Sequence, residues 1–204
     1  FNTKLIIVGT CIVYDLANSN IMISESHKIK PLSPYAGSKI AAEELALSYY
    51  YAYKLPVIIL RPFNTYGPFQ KTNMEGGVVS IFIKNKLQNE KLQIYGEGTQ
   101  TRDLLYVEDC AEFIVKALEC KRCVGEVINA GTGIDISINE LAMLIVNDKN
   151  RIEHVKHHHP QSEIMKLVCD NSKAKRILNW EPKTTLKKGI TKLEKWLFEN
   201  EMNI

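Results

Sequence analysis

The sequence predicts an α/β fold with a doubly wound parallel sheet, and three stretches indicate it. Residues 5–8 and 55–60 are short, wholly apolar runs, which are typical of strands buried on both faces of a parallel sheet. Between them, residues 33–53 begin with Ser-Pro and continue rich in Ala, Leu and Glu, which predicts a long helix. A helix between two buried strands is the repeating unit of such a sheet.

Composition and charge narrow the classes of function. The chain has 204 residues, of which 45% are hydrophobic, enough for one core and a smaller lobe. Its net charge is only +3 and it has no long basic run, so nucleic acid is not an expected partner. No apolar run approaches the ~18 residues of a membrane span, so no membrane partner is expected either. Five scattered cysteines predict reduced thiols in a cytoplasmic protein.

The second half of the chain mixes short strands with helices. Residues 61–68, with a proline near each end and Gly67 between them, predict a rigid loop after the second strand. Further along, the pattern predicts helices at 78–87, 110–118, 141–146, 171–178 and 186–198, and strands at 92–95, 101–107 and 124–130. Ser137 and Glu140 form the sequence signature of a capping box. Residues 155–170 are predicted to be irregular. This order predicts a smaller α+β lobe beside the sheet.

Tyr35 and Lys39 are the first candidate functional pair. They lie four residues apart at the start of the predicted helix, so the phenol and the ammonium are expected on one helix face. An ammonium beside a phenol favours the phenolate, which makes the tyrosine usable as a base near neutral pH. Alone, this spacing is equally typical of an ordinary helix surface. Thr10 and Asn64, however, each follow a predicted buried strand, where ligands of parallel sheets bind.

Short motifs follow one another along the whole chain. After Thr10 and the Val-Tyr at 13–14 they are SPYAGSK at 33–39, RPFNTYGP at 61–68, YGEGTQTRD at 95–103, YVED at 106–109, NAGTG at 129–133 and NWEP at 179–182. In this order they resemble the extended short-chain dehydrogenase/reductase family, and within it the nucleotide-sugar epimerases and dehydratases, most closely the bacterial GDP-sugar or amino-sugar 4,6-dehydratases. Each motif is weak alone, but the ordered set is specific.

The resemblance implies the C-terminal part of a Rossmann-type sheet plus a substrate-binding lobe. Residues 1–66 would be the remainder of an NAD-binding domain. Residues 67–204 would be mainly the substrate-binding lobe, with a return to the sheet around 101–135. The family's N-terminal glycine-rich turn has no counterpart here, so we expect the chain to be a fragment of a longer protein that binds NAD.

The resemblance also implies a role for each site residue near the cofactor. Tyr35 would take the proton of a sugar hydroxyl, and Lys39 would hold the nicotinamide ribose. Thr10 would hydrogen-bond the same sugar oxygen. Pro62 and Phe63 would border the nicotinamide.

The implied substrate is a nucleotide-diphosphate sugar, and the implied assembly is a homodimer formed through the helix of Tyr35. The positions matching the family's substrate contacts are Asn64, Val78, Tyr95, Arg102 and Glu163. An arginine fork at residue 102 suits a diphosphate. The arginine that the family usually carries just before Glu163 is missing, and HHHP occupies 157–160.

The reaction outcome stays open at this stage. We expect a 4,6-dehydratase, which oxidises C4 and then eliminates water across C5–C6, acting on a GDP- or UDP-linked hexose or N-acetylhexosamine for surface-glycan synthesis. Dehydratases usually carry a carboxylate pair after the threonine, where this chain has Cys11 and Ile12. Cys11 is therefore the candidate substitute acid or base. The alternatives are a C4 epimerase, which needs neither group, and a non-catalytic sugar-nucleotide binding protein.

Two cysteine and histidine clusters are not expected to bind metal. The C-x-x-C at 120–123 has no second pair to complete a zinc site, and it predicts a turn at a helix end. The histidines at 154 and 157–159 lack matching carboxylates and are expected to face nucleotide or solvent.

Overall fold

The computed structural model describes residues 3–16, 21–73, 77–157 and 164–201. Six α-helices lie in these ranges: α1 Pro34–Tyr53, α2 Val78–Leu87, α3 Val107–Glu119, α4 Ile138–Val146, α5 Ser172–Leu178 and α6 Leu186–Glu201. The strands are β1 Leu5–Val8, β2 Val57–Pro62, β3 Asn64–Tyr66, β4 Leu92–Tyr95, β5 Thr101–Tyr106, β6 Val127–Ala130, β7 Asp135–Ser137, β8 Ile152–Val155 and β9 Lys166–Leu167.

Three parallel strands in the order β1-β2-β6 form the first sheet. Alternate residues of β2 point to opposite faces, and both faces are covered. Val57 and Ile59 pack with Ala46 of α1, whereas Ile58 and Leu60 pack in a core that contains residues of α3 and α5. These four side chains of β2 are fully buried. This part is therefore doubly wound, as the apolar runs predict.

The remaining strands build the second part of the molecule. Strand β5 pairs in parallel with β3 and β9 and antiparallel with β7, and β4 pairs in parallel with β8. Helices α2, α4 and α6 pack on these strands around a separate core that includes Phe82, Leu141 and Leu193. Among the described residues, β6 is the only later strand that joins the sheet of β1 and β2.

The helix boundaries confirm most of the local predictions. Ser33 is the N-cap of α1, its hydroxyl accepts from the Ala36 N–H at 3.2 Å, and Pro34 is the first helical residue. Helix α2 has the predicted bounds. The capping box at Ser137 and Glu140 is present at the start of α4. A short 3-10 helix over Lys121–Cys123 follows α3 and confirms the predicted turn at the C-x-x-C.

Two predictions of irregular structure are wrong. Residues 61–68 are largely extended, because β2 continues to Pro62 and β3 pairs with Leu104–Tyr106. The prolines disturb the pairing of these strands little, since the Phe63 N–H between them still donates to the Ala130 carbonyl at 2.8 Å. Within the stretch 155–170, of which 158–163 lie outside the described residues, Val155 ends β8 and Lys166–Leu167 form β9. Both errors come from pairing with distant strands.

No helix in the described part of the chain combines the length and the apolar content that a membrane crossing requires.

Candidate active site

The C-terminal ends of β1 and β2 and the start of α1 surround a cavity of about 390 Å³. The predicted site residues that line it are Thr10, Cys11, Tyr35, Pro62, Phe63 and Asn64, and Ile12 lines it beside Cys11. These residues come from separate stretches of the sequence, and the parallel sheet brings them together because its strands end at one edge.

Thr10 begins a short 3-10 helix, Cys11–Val13, immediately after β1. Its backbone is extended, and its hydroxyl oxygen accepts weakly from the Ile12 N–H at 3.4 Å. A threonine hydroxyl that accepts in this way still has its proton to donate. Thr10 can therefore donate to a ligand oxygen in the cavity.

Tyr35 and Lys39 lie one turn apart on α1, as their spacing predicts. The phenol side chain is half exposed, and the Lys39 ammonium lies 5.8 Å from the centroid of the Tyr35 ring. Lys39 Nζ also donates to the Val8 carbonyl at 3.1 Å, so the lysine is held against the end of β1. This arrangement places a cation near the phenol and at the C-terminal end of β1, two residues before Thr10.

A second cavity of about 320 Å³ adjoins the first. Four residues predicted to contact substrate line it: Asn64, Val78, Tyr95 and Arg102. Asn64, Thr65, Gln70 and Gly77 line both cavities, so the two spaces share a wall. Glu163, the fifth predicted contact, lies outside the described residues.

Arg102 and Tyr95 are oriented by neighbours at one end of the second cavity. Arg102 Nη1 donates to the carbonyls of Thr101 and Ile164, at 2.8 and 2.7 Å. The ring of Tyr95 packs edge-on against His157, with 6.1 Å between the ring centroids. An arginine fixed through its backbone contacts is a suitable partner for a phosphate group.

Gln70 is a site residue that the sequence did not reveal. Its Nε2 donates to the Thr65 carbonyl at 3.0 Å, and its Oε1 accepts from the Ser80 hydroxyl at 3.0 Å. Gly77 packs so closely that a Cβ there would lie 2.3 Å from Gln70 Nε2. The glutamine lies next to a recognised motif, but its contact with the start of α2 is visible only in the fold.

Cys11 is poorly suited to proton transfer, although the residue lines the first cavity. Its side chain is 2% exposed and packs in a core cluster with Val13, Phe63 and Cys169. Burial raises the pKa of the Cys11 thiol to about 12. The thiol is therefore protonated at neutral pH, and Ile12 beside it has no ionisable group. No carboxylate among the described residues lines either cavity.

The described residues contain no group of three or more His, Cys, Asp or Glu side chains arranged to hold a metal ion. Of the histidines at 157–159, only His157 lies within the described ranges.

Comparison with known proteins places this chain among nucleotide-sugar dehydratases and epimerases. Residues 2–193 match the family described as GDP-mannose 4,6 dehydratase. The chain is 33% identical to the UDP-glucuronate 4-epimerase of Thermodesulfobacterium geofontis, over 97% of this chain and 60% of that protein.

Solved structures agree with this comparison. The X-ray structure of Pal from Bacillus thuringiensis is 63% identical with a TM-score of 0.94, over 97% of this chain and 63% of that one. The dTDP-glucose 4,6-dehydratase of Bacillus anthracis in complex with NAD is 33% identical with a TM-score of 0.89, over 98% of this chain and 63% of that one. The chain thus spans about 60% of the length of the relatives it matches.

Proposed function

Because the chain belongs to the extended short-chain dehydrogenase/reductase family of nucleotide-sugar epimerases and dehydratases, we propose that the full-length protein oxidises a hydroxyl of a nucleotide-diphosphate sugar with NAD. One observation carries this proposal. The cavity that holds Thr10 and Tyr35 shares a wall with the cavity that holds Arg102. In this proposal a single extended ligand places its sugar in the first cavity and its diphosphate in the adjacent second one.

The residues of the first cavity have complementary roles in this proposal. Tyr35 takes the proton of the sugar hydroxyl, with the Lys39 ammonium stabilising the phenolate. Thr10 donates to the same oxygen, and this hydrogen bond strengthens as a carbonyl forms.

The residues present also fit the nicotinamide end of NAD, because Pro62 and Phe63 give the cavity an apolar wall beside Tyr35. NAD, when bound, supplies the acceptor for the hydride, and Lys39 would hold its ribose. Residues 1–66 would form part of the NAD-binding domain, and 67–204 would mainly bind substrate, with a return to the sheet around 101–135 that includes β6.

For the step after oxidation, the described site favours return of the hydride over loss of water. Water loss requires a group that removes the C5 proton and one that protonates the leaving hydroxyl. Cys11 is buried and protonated, and Ile12 cannot transfer protons. A C4 epimerase needs neither group, and the relative from T. geofontis is named as a 4-epimerase.

Dehydration is the second candidate, and the family match favours it. The matching family is described as GDP-mannose 4,6 dehydratase, and a solved relative is a dTDP-glucose 4,6-dehydratase. In this case the acid and base would have to come from outside the described residues.

Incubation of the full-length protein with GDP-, UDP- and dTDP-sugars, followed by NMR of the products, tests the proposal. We expect a sugar inverted at one carbon that retains its 6-hydroxyl. A 4-keto-6-deoxy product would establish the dehydratase alternative. No reduction of NAD and no altered sugar across the panel would overturn the proposed function.

Tyr35→Phe tests the assigned base. Loss of the general base is expected to lower turnover by about 10²–10⁴-fold while substrate binding persists. Tyr51→Phe, which alters another exposed tyrosine of the same helix, is the matched control.

A further inference from the structure

Four buried polar side chains form a continuous hydrogen-bonded chain between α1 and the first sheet. Arg61 of β2 donates through Nε and Nη2 to Glu43 Oε2 of α1, at 2.9 and 2.6 Å, and through Nη1 to the Tyr14 hydroxyl at 2.9 Å. The Tyr14 hydroxyl donates to Asn129 Oδ1 of β6 at 2.7 Å. None of the four residues is more than 3% exposed.

This network is not explained by stability alone. A buried ion pair has a desolvation cost that its attraction often only offsets, and a well-packed apolar pair is frequently as stable. Glu43 Oε1 adds to that cost, because it is buried without a hydrogen-bond partner among the described residues. The cost suggests that the pair has a role in geometry.

The network holds both ends of the segment that carries Thr10. At one end, Glu43 lies against Gly9, where a Cβ would be only 2.0 Å from Glu43 Oε1. At the other end, Arg61 holds Tyr14, which directly follows the 3-10 helix that Thr10 begins. The segment 9–14 is therefore clamped on each side of Thr10.

The same helix face carries the candidate base. Tyr35, Lys39 and Glu43 are spaced four residues apart on α1, so they lie along one face. Lys39 contacts the Val8 carbonyl and Glu43 contacts Gly9, one residue further along the chain. A shift of Glu43 would therefore move α1 relative to the end of β1.

We propose that Glu43 and Arg61 are positioning residues that fix the Thr10 hydroxyl relative to the Tyr35 phenol. The catalytic consequence rests on the proposed function. The clamp, by which we mean the restraint of residues 9–14 by this network, does not. Small displacements of reacting groups are enough to slow an oriented reaction about 10²-fold.

The test uses the full-length protein and a double variant, Glu43→Met with Arg61→Met, which keeps the site filled with apolar atoms but removes the hydrogen bonds. Glu43→Gln is a second variant, and Glu44→Gln, at the exposed neighbouring position, is the matched control. Two measurements are made: hydrogen–deuterium exchange of residues 9–14, and the rate of NAD reduction in a single turnover.

We expect the double variant to unfold at a temperature close to that of the wild type. Exchange in residues 9–14 should rise at least about tenfold, because the segment can open locally. The single-turnover rate at saturating substrate should fall about 10–100-fold, since alignment is lost. The substrate concentration that gives half of that rate should stay within about twofold, since binding is retained. Glu44→Gln should change neither measurement.

Unchanged exchange in a folded double variant would overturn the clamp. Increased exchange with an unchanged single-turnover rate would overturn the positioning role. If none of the nucleotide sugars tested leads the wild type to reduce NAD, the proposed function fails. The exchange measurement still decides the clamp in that case. If the double variant does not fold, exchange in Glu43→Gln decides the clamp by the same criterion.

Discussion

Cys11 shows at the scale of one residue how burial sets chemistry. Its neighbour Thr10 presents a hydroxyl to the cavity, whereas the thiol is 2% exposed within a core cluster. Desolvation is the largest influence on it and raises its pKa from 9.0 to about 12. The proximity of Cys11 to Thr10 in sequence predicted a substitute acid or base, and the packing disfavours that role.

Cys11→Ala is expected to lower the free energy of unfolding by about 1 kcal/mol at pH 7, because it leaves a small cavity. This difference should shrink as the pH rises above 9. The folded wild type keeps the proton up to about 12 while its unfolded chain ionises near 9.0, so the wild type loses stability in that window. Urea unfolding at neutral and alkaline pH measures both effects.

The same variant should leave the oxidation rate within about threefold of wild type, since the thiol transfers no proton in the proposed reaction. Tenfold or greater loss of turnover in a variant of normal stability would restore Cys11 as an acid or base.

Single residues differed in how well the sequence predicted them. Thr10, Tyr35 and Asn64 were predictable because each stands in a motif at a predicted strand or helix end, and the fold brings all three to one cavity. Glu43 could have been noticed as an acidic residue one turn beyond Lys39. Its burial was not predictable, because it depends on Arg61, a partner 18 residues away on a strand.

At the scale of elements, the start of α4 illustrates a purely local determinant. The Ser137 hydroxyl accepts from the Glu140 N–H at 3.2 Å, and Glu140 Oε2 accepts from the Ser137 N–H at 3.0 Å. Hydrogen bonds from the Ser137 side chain and backbone hold the pKa of Glu140 below its ordinary value of 4.5.

Ser137→Ala should lower the free energy of unfolding by about 1 kcal/mol at pH 7, as for other N-caps. The Glu140 contribution is present above its unfolded pKa and is lost as the pH falls through its lowered folded pKa. The cost of the substitution should therefore be smaller in acid. Chemical unfolding at pH 7 and about pH 3 checks this, and Ser137→Thr, which keeps a capping hydroxyl, is the control. An equal cost at both pH values would contradict the role of Glu140.

Elements defined by local signals were the ones that the sequence predicted well. Capping and apolar spacing located α1 and α2 within a residue of their observed ends. The segment 61–68 was predicted wrongly because its extended form depends on pairing with β5, some forty residues later, and proline and glycine dominate its local signal.

At the scale of the whole molecule, one face of α1 stays exposed. Leu45, Tyr49 and Tyr53 are 63%, 49% and 76% exposed and follow one another at four-residue spacing. The opposite side packs on β1, β2 and the 3-10 helix after Thr10. Three large apolar side chains in one row suit contact with the same row of a second copy, as the predicted homodimer requires.

Leu45→Glu is expected to convert a dimer of the full-length protein into monomer, because it places a charge within that apolar row. Sedimentation velocity of wild type and variant at matched concentrations measures this. Glu44→Gln, one residue away and outside the apolar row, should leave the dimer intact. A wild type that sediments as a monomer would refute the dimer prediction.

The contact between Lys39 and Val8 has a consequence for conformational entropy. A free lysine loses up to ~2 kcal/mol of rotamer freedom when a ligand immobilises it. Lys39 is already tethered to a backbone carbonyl, and its ammonium has three N–H groups, of which that contact uses one. The side chain can hold a ligand with its remaining donors while part of the ordering is complete before binding. Its tether is therefore a form of preorganisation one helix turn away from the candidate base.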